Sequence, residues 1–154
     1  PNSLRDGEKL TELQISFEIA SEAPGFSAYY PSDIYFAING TPLGFWTTPG
    51  EYNDRRGIFT PDWWFLNLGQ YGKVKMLSVN SQGTFIDGFA ISDVTVDRLN
   101  IRANAEISFV ISSPKEAANH GGLTLFGKNF GDYNQGILVN MLYEKPTTEQ
   151  TLPQ

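Results

Sequence analysis

The sequence predicts an all-β protein, a single antiparallel β-sandwich, on three observations. Apolar residues recur at every second position in several separate runs, the period at which strand side chains alternate between two faces. Turn-forming residues recur between those runs, as they do between the strands of a sandwich. Helical periodicity is scarce. The 154 residues are enough for one domain with its own core. We assign that domain to residues 1–145, followed by a polar tail over 146–154 that carries Pro146 and Pro153 and is expected to be loosely ordered.

The first strand is read over residues 13–19, where Leu13, Ile15, Phe17 and Ile19 alternate with Gln14, Ser16 and Glu18. Ile34, Phe36 and Ile38 make the second, with Tyr35 and Ala37 on its other face. Asn39-Gly40-Thr41-Pro42 then turns the chain, because Asn-Gly suits the positive φ angles of a tight hairpin, and residues 43–47 return as the partner. A run over 74–79 meets the turn Asn80-Ser81-Gln82-Gly83 and is followed by 84–86. Ile107, Phe109 and Ile111 alternate with Ser108 and Val110, and the last strands are read at 123–126 and 137–143. One or two short helical turns are expected. At 60–64, Thr60 can cap, Pro61 suits the first helical position, and Asp62 complements the dipole. The other is at 114–119.

Composition closes several functional routes. Lys and Arg number 11 against 17 Asp and Glu, a net charge of -6, so nucleic acid is not an expected partner of this stretch of chain. There is no cysteine and one histidine, His120. This leaves no disulfide framework, no thiolate nucleophile and no His-rich or Cys-rich metal site. No apolar stretch reaches the roughly 20 residues that span a bilayer, no signal-peptide pattern is visible, and no membrane partner is expected. The chain opens on Pro1 rather than Met, which reads as a fragment or a processed product.

Thirteen of the 21 aromatic residues fall between positions 26 and 71, including all three tryptophans; an even spread would place about six there. Many lie in turn-rich sequence, where aromatic faces can stack on a ligand. Asp54, Arg55 and Arg56 lie in the same stretch, and carboxylate and guanidinium groups give directed hydrogen bonds to vicinal hydroxyls. Stacking faces beside planar polar groups are what a saccharide site needs. Trp46, Asp54, Arg55, Arg56, Trp63, Trp64 and Tyr71 are therefore the candidate ligand-binding residues. The competing reading makes the aromatics core, and ties Arg55 and Arg56 to Glu51, Asp54 or Asp62. The carboxylates Glu18, Glu22, Asp33 and Glu51 sit in no acid–base motif and read as solvated charge. His120 reads as part of a turn. Residues 132–135 also read as an ordinary turn, though their oxygens leave calcium open. No catalytic residue, metal ligand or cofactor is assigned.

Two strings carry a resemblance in fold. Residues 33–45, with Asn39-Gly40 and Gly44, and residues 97–111, with Leu99, Asn104, Ile107, Phe109 and Ile111, resemble the galactose-binding-like jelly rolls that accompany many glycosidases. The second match departs from that pattern at Arg102, where the family has Gly, and by one extra residue between Asn104 and Ile107. A longer set resembles the C-terminal portion of bacterial transcriptional regulators that begin with a winged helix of the arsenical-resistance-repressor type. It comprises Tyr30-Pro-Ser-Asp-Ile-Tyr-Phe-Ala-Ile-Asn-Gly, Asp54-Arg-Arg-Gly, Phe59-Thr-Pro-Asp-Trp-Trp and Leu125-Phe-Gly-Lys-Asn-Phe-Gly-Asp-Tyr. That resemblance implies a cytoplasmic, non-enzymatic effector-sensing domain, with DNA contact supplied by a winged helix outside this chain. It leaves room for a homodimer formed through the full-length protein. A small molecule, with a saccharide favoured, is the expected partner. A carbohydrate-binding module of a glycoside hydrolase and a structural or dimerising domain remain the alternatives.

Overall fold

In the computed structural model, residues 1–23 and 27–147 are described. Phe26 and most of the polar tail lie outside the described residues. The strands are β1 (Lys9–Ala20), β2 (Ser32–Ile38), β3 (Thr41–Thr48), β4 (Lys73–Val79), β5 (Thr84–Ile86), β6 (Phe89–Ser92), β7 (Phe109–Ser112), β8 (Thr124–Phe126) and β9 (Leu138–Glu144). One sheet runs β6-β5-β4-β1, with both β8 and β9 on the far edge of β1; the other runs β3-β2-β7. Every pairing is antiparallel. The chain changes sheet at β1→β2, β3→β4, β6→β7 and β7→β8, so each sheet is assembled from strands distant in sequence. The expected antiparallel sandwich is the fold observed.

The alternation read from the sequence becomes the core directly. Leu13, Ile15, Phe17 and Ile19 of β1 face Ile34, Phe36 and Ile38 of β2, with Leu77 and Val79 of β4 beside them, all buried. Burying each such side chain contributes about 1.5–3 kcal/mol. At the centre Phe17 packs on Phe36 at 5.6 Å and on Phe109 at 6.1 Å between ring centroids.

The helical expectations need correcting. At 60–64 the chain makes a single turn, the Trp64 amide bonding to the Pro61 carbonyl at 3.0 Å. The Arg56 guanidinium also donates to the carbonyls of Pro61 (2.7 Å) and Trp64 (3.4 Å). Oxygens that a helix would need are thus shared with a side chain. Residues 114–119 also make one turn, closed from the Ala117 amide to the Pro114 carbonyl. Among the described residues the helical element is instead a 3-10 turn over Val96–Leu99, which buries Val96 and Leu99 and ends on Asn100 at φ 51°. β6 was not anticipated. It follows the tight turn Asp87-Gly88, whose φ angles are 49° and 84°.

The described parts of three connections, 21–23 with 27–31, 49–72 and 113–123, gather at the end of the sandwich where β1 finishes and β2 starts. A fourth segment, 127–137, interrupts what would otherwise be one strand. β8 pairs with β1 at Glu18–Ala20 and β9 with β1 from Ser16 back to Lys9, so the chain leaves the sheet edge and returns to it. The long connection 49–72 carries most of the candidate residues.

Candidate functional site

The connection 49–72 is fastened by a carboxylate in an unexpected place. Glu18 lies between Phe17 and Ile19 on the outward phase of β1, yet it is buried because 127–137 folds over it. Its oxygens accept hydrogen bonds from the amides of Gly72 (2.9 Å), Asp132 (2.9 Å) and Tyr133 (3.2 Å). Gly131 has φ +72°, and a Cβ there would lie 2.3 Å from a Glu18 oxygen, so only glycine fits. Next to it the Thr60 hydroxyl donates to the Gln70 carbonyl (2.6 Å) and accepts from the Gly131 amide (3.0 Å). The reading of Glu18 as a solvated charge is therefore corrected: it joins β1 to both loop segments.

Asp54, Arg55 and Tyr71 come together over this seam. Arg55 grips Asp132 with two bonds, 2.9 and 2.6 Å, and its guanidinium carbon sits 4.0 Å over the Tyr71 ring. Asp132 holds the guanidinium pKa well above its ordinary value, and in turn the Arg55 bond lowers the Asp132 carboxyl. The Tyr71 hydroxyl donates to Asp54 at 2.6 Å, which with burial pushes its pKa up to about 12. Tyr52 stacks on Tyr71 at 5.3 Å, and the Lys73 ammonium lies 4.8 Å over Tyr52. Arg55 is thus held by a partner 77 residues away. Arg56 spends its donors on the 61–64 turn and lies 3.9 Å from Asp62. In this arrangement Arg56 and Asp54 act on their own loop, and Arg55 ties that loop to the segment 127–137.

Trp63 and Trp64 form a separate group. Trp64 donates its indole N–H to the Gly69 carbonyl at 3.0 Å and meets Phe130 edge-on at 5.2 Å; Trp63 meets the same ring at 5.7 Å. Trp63 is 70% exposed, and Ile58, Phe65 and Leu66 of the same loop are exposed with it. A hollow of about 340 Å³ opens beside Trp64 toward Leu125 and Phe130. Its polar lining is sparse.

Trp46 belongs to neither group. It pairs with buried Ile34 across the β2–β3 ladder, and Lys75 pairs with buried Phe17 across β1–β4, so both point between the sheets. The Lys75 ammonium lies 4.6 Å over the Trp46 ring and 3.0 Å from the Asp87 carboxylate. Asp87 is fixed by the tight turn and by accepting the Met76 amide at 2.9 Å. Trp46, Lys75, Ile86, Asp87, Phe89 and Ile91 enclose a cleft of about 260 Å³, and Phe89 at its mouth is 78% exposed. Here an indole, a second ring and a solvent-reaching ion pair line one hollow.

Lys75, Asp87 and Phe89 escaped the sequence reading, although one signal was present. Lys73 and Lys75 occupy the inward phase of the strand whose Leu77 and Val79 are core. A charge in an apolar phase marks an opening between the sheets or a buried partner.

Asp33 and Glu51, also read as solvated, are buried, whereas Glu22 is exposed. Asp33 accepts from the Thr47 hydroxyl (2.7 Å), the Asn119 amide (3.0 Å) and the Asn119 side chain (3.1 Å). Its pKa is lowered, first by the Thr47 bond. Glu51 has the opposite shift: burial raises its pKa above 4.5, and bonds from the Gly69 and Ala23 amides only partly offset this. One of its oxygens has no hydrogen-bond partner among the described residues. A raised folded-state pKa contributes stability below the unfolded value, and that stability is lost as pH rises through the folded value. Glu51→Gln should therefore gain stability relative to the parent as pH rises from below 4.5 to neutrality. Urea midpoints across that range test this, and a constant difference would refute it.

Glu18, Asp33 and Glu51 do not line the hollows at Trp46 or Trp64, and His120 is exposed. Among the described residues no group of three or more His, Cys, Asp or Glu is placed to hold a metal ion. No helix among them is long and apolar enough to cross a membrane. Comparison with family models, with curated proteins and with solved structures gives no match.

Proposed function

We propose that this chain is a non-enzymatic ligand-sensing domain that takes a carbohydrate in the cleft at Trp46. The observation that carries the reading is the cleft itself, where the Trp46 and Phe89 rings stand beside the Lys75–Asp87 ion pair. An aromatic face accepts the apolar face of a sugar, while a carboxylate and an ammonium accept from and donate to its hydroxyls. Of the residues first singled out, Trp46 remains in this seat. Asp54, Arg55, Arg56 and Tyr71 shape the neighbouring loop, and Trp63 and Trp64 form a second, more apolar surface.

The place of such a domain in a cytoplasmic bacterial transcriptional regulator rests on the resemblance of residues 30–40, 54–57, 59–64 and 125–133, with a jelly-roll fold implied by the galactose-binding-like strings. The cleft lies between β3 of one sheet and β4, β5 and β6 of the other. A ligand there touches both sheets, and it shifts an attached winged-helix dimer only if it binds the two states with different affinity.

The test is a titration of tryptophan emission with mono- and oligosaccharides, on the parent and two variants. Stacking on one ring is worth about 1–3 kcal/mol by analogy with base–aromatic stacking, so Trp46→Ala should weaken binding by about five- to 150-fold. Phe89→Ala alters an exposed ring and should also weaken binding, with its melting temperature unchanged. Trp63→Ala should leave affinity as it was. Absence of any saccharide response, or loss of binding in Trp63→Ala alone, would overturn the assignment.

A further inference from the structure

β9 is an edge strand left in an unusual condition. Among the described residues it pairs only with β1, so its other side presents free backbone N–H and C=O groups. Natural sheets blunt such edges with charge, proline or a covering segment, because an uncharged edge is a template for another strand. Residues 137–143 read Ile-Leu-Val-Asn-Met-Leu-Tyr and carry no charge. Val139 and Tyr143 pair with core residues Ile15 and Leu10 across β1 and so face inward, yet they are 51% and 42% exposed. The cause is the width of the second sheet, which stops at β7. A hollow of about 450 Å³ opens there between Ile107 and the side chains of Val139 and Met141.

The order of side chains along this edge names its partner. Read outward from Asn140, the residues on either side match in character: Val139 with Met141, Leu138 with Leu142, Ile137 with Tyr143. A strand with this symmetry is complementary to itself in antiparallel pairing about a two-fold axis, where residue i of one copy meets residue j of the other and j meets i. With the axis at Asn140, the two amides face each other and the outer-face leucines Leu138 and Leu142 cross-pair. Glu144 meets Gly136 and Lys145 meets Gln135, so no like charges are opposed. The central amide also fixes the register, since slipping by one residue opposes Asn to an apolar side chain.

We infer that β9 is the pairing edge of a homodimer, in which two copies of this chain join their larger sheets into one continuous sheet about Asn140. This is independent of the saccharide cleft, which lies on the opposite flank. Edge pairing over seven residues falls at the small end of interface sizes. The dimer is therefore expected to dissociate at concentrations on the order of 10–100 µM, tightened wherever another part of a longer chain also associates.

Sedimentation across that concentration range should show the mass rising from monomer to dimer. Two variants read the register. Leu138→Lys with Leu142→Lys opposes like charges across the axis and should weaken the dimer roughly ten- to hundredfold. The matching Leu138→Glu with Leu142→Glu should behave alike, and an equimolar mixture of the two should dimerise again. Both sites are exposed, so thermal melts should show each variant folded. Because the chain has no cysteine, Asn140→Cys provides a direct probe. Its two copies lie within disulfide reach in this register and should cross-link on mild oxidation, whereas Ala90→Cys on β6 should not. A chain that stays monomeric, a dimer indifferent to the lysine pair, or an Asn140→Cys that cross-links no faster than Ala90→Cys would each overturn the inference.

Discussion

Glu18→Ala is expected to lower the unfolding free energy by about 3–5 kcal/mol, from the loss of one exterior-phase side chain. Three amides, those of Gly72, Asp132 and Tyr133, donate to its carboxylate. A buried donor left without a partner costs about 1–3 kcal/mol, and some of that is recovered as water enters the opened loop. Glu18→Gln keeps one accepting oxygen but turns an NH₂ group toward amides, so it should fall between. The effect is local in a second sense. Hydrogen exchange at Gly72, Asp132 and Tyr133 should accelerate more than in β4 or β1, because the connection 49–72 and the segment 127–137 lose their shared anchor. A loss under about 1.5 kcal/mol in denaturant titrations would show that these amides find other partners.

This anchor shows where sequence reasoning runs out. The alternation at 13–19 and 34–38 and the run at 74–79 were legible because strand period and burial are local properties, and those residues form β1, β2 and β4 nearly as read. The four residues of β6 span only two repeats of the strand period, too few to register, and the Asp87-Gly88 turn was the only cue. The fate of Glu18 was not legible: it follows strand phase outward, and its burial depends on amides 54 to 115 positions away. Arg55 shows the same limit. Its nearby acids invited pairing, but the backbone brought Asp132 to it from beyond β8, with a geometry that two oxygens satisfy better than one. The aromatic surplus was legible as a number and not as an arrangement. It divides into Trp46 between the sheets, Tyr52 and Tyr71 under the loop, and Trp63 and Trp64 against Phe130. The site partners of Trp46 come from β4 and the β5–β6 hairpin, and only the sheet register places them there.

Phe17→Ala should be the most damaging single change, at about 4–5 kcal/mol. Phe17 is 1% exposed and lies where the two sheets meet, its ring 5.6 Å from Phe36 of β2 and 6.1 Å from Phe109 of β7. Truncation removes the transfer energy of the ring, leaves a cavity that the β1 backbone cannot close, and abolishes two aromatic contacts. The cavity cannot collapse easily, because β1 is held by β4 on one edge and by β8 and β9 on the other. For a chain of this size the melting temperature should fall by about 8–20 °C. Phe17→Leu fills most of the space and should cost about 1–2 kcal/mol. The comparison with Phe126→Ala, at the loop end of the same sheet, separates sheet-to-sheet packing from simple loss of apolar area. Phe126 belongs to the three-residue β8 and, though buried, pairs with Glu18 on the outward phase of β1 rather than between the sheets, so its removal should cost less. Equal losses at the two positions, or a loss at Phe17 below about 2 kcal/mol, would mean that the sheets are held together elsewhere than at the Phe17–Phe36–Phe109 contact.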